Sequence, residues 1–205
     1  MDPSFSTVIK NIPLFFQTSD TLFSPNAVDT GTLSMLSQTE FLPDDKVLDL
    51  GCGYGAVGIL AAKLIGQDKV TMCDVSETAV RYSQNNAKLN QVPDITVKLS
   101  DGFENIPDSD FTLILSNPPY HTDFSVAKRF IEDGFHRLAL GGRMLMVTKR
   151  LTWYKNKFTS VFGGCKIREI NGYYVFIAEK RTPVIKKKAE KTNKLSKKLQ
   201  RKYQK

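Results

Sequence analysis

The sequence predicts an α/β fold: a mostly parallel sheet with helices on both faces and an antiparallel strand at its C-terminal end. Three observations carry this. From residue 46 onward short apolar runs alternate with helix-length stretches, glycines cluster directly after the first run, and Asn171-Gly172 joins the last two runs. Strands separated by helix-length segments need crossover connections, which make them parallel. An Asn-Gly pair instead favours a tight turn between antiparallel strands.

In order, the expected strands are KVLDLG (46–51), KVTMCD (69–74), ITVKLS (95–100), FTLILS (111–116) and RMLMVTK (143–149). Helices are expected over 56–66, 76–90 and 123–140. Ser76 caps the second, with Glu77 in its first turn, and Gly141-Gly142 is expected to stop the third. WYKNKFTSVFG (153–163) reads as a short helix, and KIREING with YYVFIAEK (166–180) as a hairpin that brings the strand count to seven.

The chain has 205 residues, 41% hydrophobic and 24% charged, which suits one domain with a proper core. No apolar run approaches the roughly 18 residues of a membrane span, and MDPSFSTVIKNIPLFF lacks a secretory pattern, so a cytoplasmic protein without membrane contact is expected. Cys52, Cys73 and Cys165 are too scattered for a disulfide framework or a zinc site, and no metal is expected. The net charge of +8 is unevenly placed: residues 181–205 hold eleven Lys and Arg against Glu190 alone, a net +10, which leaves −2 on residues 1–180. The chain thus divides into a domain over 1–180 and a basic tail over 181–205. The tail has too little apolar surface to order itself alone and is suited to a polyanion.

The glycine cluster DLGCGYGAVG (49–58) ends a strand and opens a helix, where glycine permits a tight turn and close approach of backbone to a ligand. Gly53 to Gly58 match the dinucleotide fingerprint, yet Asp49 beside the loop suits a ligand carrying an ammonium group better than a pyrophosphate. Gly51, Gly53 and Gly55 supply the turn, and Cys52 fits there as a small residue. Asp74, followed by Val75, closes the next strand and can accept from both ribose hydroxyls. A nicotinamide dinucleotide or S-adenosylmethionine would each use that acid, so an NAD-dependent oxidoreductase stays open at this point. After the third strand, the Asp101 carboxylate and the N–H groups of Gly102 and Phe103 can read adenine. After the fourth, SNPPYH (116–121) delivers a rigid corner to the same edge, where open α/β sheets bind ligands.

Together, DLGCGYG, Asp74, SDGF and SNPPYH resemble the class I S-adenosylmethionine-dependent methyltransferases, in the branch whose NPPY-type motif serves amino-group methylation. LFSPNAVDTGT (22–32), His121, and the FGG and GYYVFIAEKR ending are similar to the small methyltransferase domain of the ribosomal-RNA guanine-N2 methyltransferases. The resemblance covers roughly residues 12–181. It implies a Rossmann-like methyltransferase fold, S-adenosylmethionine as cofactor, RNA as partner with rRNA favoured, and Phe23, Asp29 and Thr32 folded over the methionyl end of the cofactor. Those enzymes commonly carry a second, degenerate copy of the domain, which this sequence does not show, and the basic tail departs from their usual pattern. Corners of this type also occur in adenine-N6 and protein-glutamine methyltransferases. Inactive copies of the fold serve as RNA-binding modules, but the intact loop and corner here favour an enzyme.

The corner has a physical rationale. An exocyclic amine is a poor nucleophile because its lone pair is delocalised into the ring. Carbonyl oxygens accepting both of its hydrogens free that lone pair; Asn117 offers its side-chain oxygen and Pro118 its backbone oxygen. Pro118 and Pro119 fix the chain, and Tyr120 can stack on the base. His121 either orients the substrate or lies on the surface. His136 is expected to be structural, and Trp153-Tyr154 to stack a base or pack on the sheet.

Overall fold

The computed structural model describes residues 2–119 and 124–183. Tyr120 and His121 of the corner and residues 184–205 of the tail lie outside the described residues. The chain opens with a hairpin, β1 (Ser4–Ile9) and β2 (Ile12–Gln17), followed by α1 (Thr30–Gln38). Then come β3 (Val47–Leu50), α2 (Ala56–Ile65), β4 (Val70–Asp74), α3 (Glu77–Leu89), β5 (Thr96–Leu99), β6 (Phe111–Ser116), α4 (Ser125–Arg137), β7 (Leu138–Thr148), α5 (Thr152–Phe162), β8 (Lys166–Ile170) and β9 (Tyr173–Glu179).

Seven strands form one sheet in the order β5-β4-β3-β6-β7-β9-β8. All pairs from β5 to β7 are parallel, and β9 runs antiparallel to both its neighbours. This is the architecture the sequence predicts. Period-2 alternation along the buried strands feeds two cores. Val47, Leu113, Leu115, Leu145, Val147 and Val175 face α1, α2, α3 and the N-terminal hairpin, whereas Leu48, Ile114, Met144, Met146 and Phe176 face α4 and α5. Asp49 shares the first face with Val47, which aims its carboxylate at α2.

The N-terminal hairpin is fastened by side-chain amides. Asn86 on α3 is fully buried: its Oδ1 accepts from Gln17 N at 2.8 Å, and its Nδ2 donates to Gln17 O and Tyr54 O, both at 2.9 Å. One turn later Asn90 repeats the pattern on Phe15, accepting from its N at 3.0 Å and donating to its O at 2.7 Å. The two amides act as a substitute strand along the free edge of β2, and one of them also holds the glycine loop.

The third helix differs from expectation. It ends at Arg137 rather than at the Gly-Gly pair, and β7 begins at Leu138 with no intervening loop. The buried Lys180 explains the early stop: its ammonium donates to Leu138 O, lies 3.5 Å from His136 O, and sits over the Phe135 ring. A cation at the helix C-terminus satisfies carbonyls that the helix leaves open. Gly141 and Gly142 lie instead within the strand, exchanging backbone hydrogen bonds with Lys180 where the β6–β7 register shifts.

Candidate active site

A cavity of about 420 Å³ opens outside the carboxyl ends of β3, β4 and β6. The sequence places it there through four turns. In the first, Gly51, Gly53 and Gly55 adopt φ of 79°, 56° and 96°, a left-handed run that residues with a Cβ rarely sustain. Gly51 N and Cys52 N both donate to Cys73 O at 2.9 Å, and Ser83 Oγ donates to Gly53 O at 2.7 Å. The loop is therefore rigid from both sides.

Two carboxylates flank it. Asp49 is buried and accepts from Gly58 N at 2.9 Å. Burial raises its carboxyl to about 7; the Gly58 N–H opposes this and the neighbouring Asp74 charge adds to it. No cation pairs with it among the described residues, and a buried acid of this kind fits a ligand that brings one. Asp74 accepts from Gly53 N through Oδ2 and from Ser76 N through Oδ1, both at 2.9 Å, which orients its carboxylate at the cavity wall. Burial pushes the Cys52 thiol well above its usual range, reinforced by the charges of Asp49 and Asp74. Cys52 is thus an inert, small wall residue, as the sequence suggests.

Of the expected contacts, Phe23, Asp29, Thr32, Asp49, Gly51, Cys52, Gly53, Asp74, Val75, Asp101, Gly102, Asn117, Pro118 and Pro119 all line the cavity. Gly55 and Phe103 do not. Gly55 backs the loop against Ile59 and Ser83, and Phe103 turns its ring into the core shared with α4. The Asp101 carboxylate is paired with Arg129 of α4, a partner the sequence reading did not assign.

The corner is held by a second network. Asp29 caps α1, accepting from Thr32 N at 3.0 Å through Oδ2, and the same oxygen accepts from Asn117 Nδ2 at 3.0 Å. Thr32 Oγ1 receives the other amide hydrogen at 3.0 Å, and Tyr173 donates its hydroxyl to Asp29 Oδ1 at 3.3 Å. Because a carboxylate only accepts, this fixes which end of the Asn117 amide is which. Its carbonyl oxygen remains without a protein partner among the described residues, and Asn117 lines the cavity. Gly31 makes the packing possible, since a Cβ there would stand 2.6 Å from the Tyr173 ring and 2.8 Å from Asp29 Oδ2.

Several wall residues were not read from the sequence: Tyr54, Ala79, Val126 and Phe130. Phe130 comes from α4 and packs beneath Gly51 and Gly102. Its place on the apolar face of α4, with Ala127 and Ile131, was the available signal. Trp153 packs: its ring stacks on Phe124 at 4.3 Å, and Tyr154 is buried against Phe176.

Residues 13–177 match the methyltransferase small domain family. The ribosomal RNA small subunit methyltransferase C of Pseudomonas putida (strain GB-1) is 30% identical over 179 residues, covering 85% of this chain and 53% of that protein. Its namesake from Hamiltonella defensa is 32% identical over 157 residues, covering 75% and 46%. The chain spans about half the length of the curated relatives it matches. Among solved structures, a T. thermophilus 16S rRNA N2 methyltransferase in complex with AdoMet and guanosine superposes with a TM-score of 0.80 at 28% identity, over 87% of this chain and 50% of that one. Thermus thermophilus TrmN shares the fold, with a TM-score of 0.61 at 22% identity over 72% and 47%. The loop, Asp49 in β3, Asp74 at the end of β4, and the corner after β6 all lie within the matched segment, and the chain belongs to the methyltransferase small domain family.

Proposed function

We propose that this domain is an S-adenosylmethionine-dependent N-methyltransferase acting on guanine N2 in rRNA. The observation that carries the reading is the Asn117 amide, whose hydrogens are committed to Asp29 and Thr32 so that its oxygen is offered to the cavity. An acceptor held there, paired with the Pro118 carbonyl, suits the two N–H groups of an exocyclic amine. The similarity to a 16S rRNA N2 methyltransferase solved with AdoMet and guanosine supports the same choice of substrate.

The donor set fits the cofactor. Buried Asp49 suits an ammonium group and would be driven to its charged form by it; Asp74 suits a ribose diol. The same Asp49 disfavours a pyrophosphate at this loop, which argues against the dinucleotide alternative. When bound, the sulfonium supplies an already activated methyl group. The residues of this chain then have three tasks: to hold the amine by Asn117 Oδ1 and the Pro118 carbonyl, to keep that pair rigid through Pro119, and to exclude water with the apolar wall of Val126 and Phe130. No strong base is required, because the nitrogen becomes acidic once alkylated. Tyr120 is assigned to stack on the base, and the basic segment 181–205 to attract RNA independently of sequence.

The test is transfer of labelled methyl groups from S-adenosylmethionine to 30S subunits and to naked 16S rRNA, followed by nucleoside mass spectrometry. N2-methylguanosine is the expected product. N6-methyladenosine or labelled protein alone would overturn the substrate assignment.

A further inference from the structure

We propose that Arg150, with Lys149 beside it, forms a phosphate-gripping rim that positions the RNA strand around the nucleotide whose base enters the Asn117 corner, an inference that rests on the function proposed above. The placement follows from sheet register. β6 and β7 are parallel neighbours with Ser116 opposite Met146, so the residues after β7 leave the sheet beside Asn117, Pro118 and Pro119. Lys149 and Arg150 are both exposed at that edge.

Each cation lies over an aromatic ring, and the ring under Lys149 is tied to the corner. Lys149 Nζ lies 4.8 Å from the ring centre of Tyr173, whose hydroxyl reaches Asp29 and through it Asn117. Arg150 Cζ lies 4.9 Å from the ring centre of Phe124, and that ring stacks on Trp153. An aromatic face orients the Arg150 guanidinium without neutralising it. Other arginines of the domain are committed to the fold: Arg129 to Asp101, Arg143 to Asp45, and Arg137 to the carbonyls of Pro107 and Asp108. Arg150 has no carboxylate partner among the described residues.

The chemistry suits a phosphodiester. A guanidinium presents parallel N–H donors that match phosphate oxygens. A base reaching a recessed acceptor must leave its stack, which turns its flanking phosphates toward the mouth of the site. Residues 1–180 carry a net −2, so a local cation at the mouth offsets the repulsion of the strand there, beside the attraction assigned to the segment 181–205.

The experiment uses the full chain and a fluorescein-labelled, guanosine-bearing RNA oligonucleotide, with affinity measured across a salt titration. Arg150→Gln, which keeps the stem over Phe124 and removes the charge, is expected to weaken binding about 5- to 10-fold and to flatten the salt slope by about 0.7. Arg150→Lys should restore the slope, which a purely structural role of Arg150 would not require. In methyl transfer to rRNA, the Gln variant should raise KM more than it lowers kcat. Unchanged affinity and slope in Arg150→Gln, with transfer by the parent intact, would overturn the rim and leave the proposed function standing. If the parent transfers no methyl group to rRNA yet binds the oligonucleotide with an Arg150-dependent slope, the rim stands and the proposed function falls. A Gln variant that fails to fold shifts the comparison to Lys149→Gln, for which a smaller loss of the same kind is expected and an unchanged slope counts against the rim.

Discussion

Asn117 and Asp29 are 88 residues apart in sequence and joined by a 3.0 Å hydrogen bond, with the Asn117 amide donating to the same Asp29 oxygen that caps α1. The start of a helix thus sets the orientation of the side chain assigned to hold the nucleophile. Helix capping and the proposed recognition of the substrate amine share one carboxylate.

Asn117→Ala should therefore lower kcat by about 100-fold or more while changing S-adenosylmethionine affinity little, because the lost acceptor acts on the amine. Single-turnover kinetics beside calorimetry separates the two effects. Equal turnover in the variant would remove Asn117 from the role assigned to it.

Asp29→Ala releases both the amide and the helix cap. We expect about 1 kcal/mol of lost stability from the cap, and about a tenfold or greater fall in kcat from a misoriented Asn117. A stability loss in thermal unfolding without a kinetic effect would confine Asp29 to capping.

Asp49 gives a pH signature. Its carboxyl is raised to about 7 in the fold, chiefly by burial, from an ordinary value of 3.8. The native state thus holds this proton more tightly than the unfolded chain does. Its contribution to stability is complete below the unfolded value and is lost as pH rises through about 7. Unfolding of the ligand-free protein should show that decline between about pH 4 and 7, and Asp49→Asn should flatten it. An ammonium ligand selects the carboxylate, so S-adenosylmethionine affinity should fall as pH drops below about 7, with proton release visible by calorimetry in buffers of different ionisation enthalpy.

Removing residues 183–205 should leave the fold and cofactor affinity nearly unchanged, since β9 ends at Glu179. The same truncation removes ten of the chain's cations. Weaker RNA binding, a shallower salt dependence and a raised KM are expected. RNA affinity equal to that of the full chain across a salt titration would reduce the tail to a solvated extension.

Asn86→Ala strips three hydrogen bonds, one buried and two half-buried, and leaves Gln17 and Tyr54 groups without these partners. A loss of about 2–4 kcal/mol in denaturant unfolding is expected. Leu at the same position should cost a comparable amount, because no apolar side chain pairs with a strand edge.

The parallel sheet was legible because its central strands are buried on both faces and read as continuous apolar runs; all four residues of β3 are buried, the acid included. The glycine loop and the corner were legible as local motifs. The N-terminal hairpin was not, although Phe5, Thr7 and Ile9 alternate with exposed residues. Its turn uses Lys10 and Asn11 at φ of 50° and 64° with no glycine, and Pro13 lies inside β2. Its second edge is satisfied by Asn86 and Asn90, about 70 residues away, a pairing that no local pattern announces. The end of α4 escaped for a similar reason, because its stop signal is Lys180 at the far end of the domain. Arg129 on Asp101 and Phe130 under two glycines are likewise contacts between distant segments.

The fastening of β2 by α3 also sets an order of events in time. β1 and β2 leave the ribosome before the amides that complete their outer edge, which lie 69 and 75 residues downstream. Loop closure over such a distance must precede the reward of those bonds. During synthesis the free edge of β2 therefore waits for α3, and the hairpin should lock in place only once residues 86–90 have been made, not when its own two strands first pair. Slowing translation between residues 17 and 86 should lengthen that wait, with protease sensitivity of the nascent hairpin as its measure.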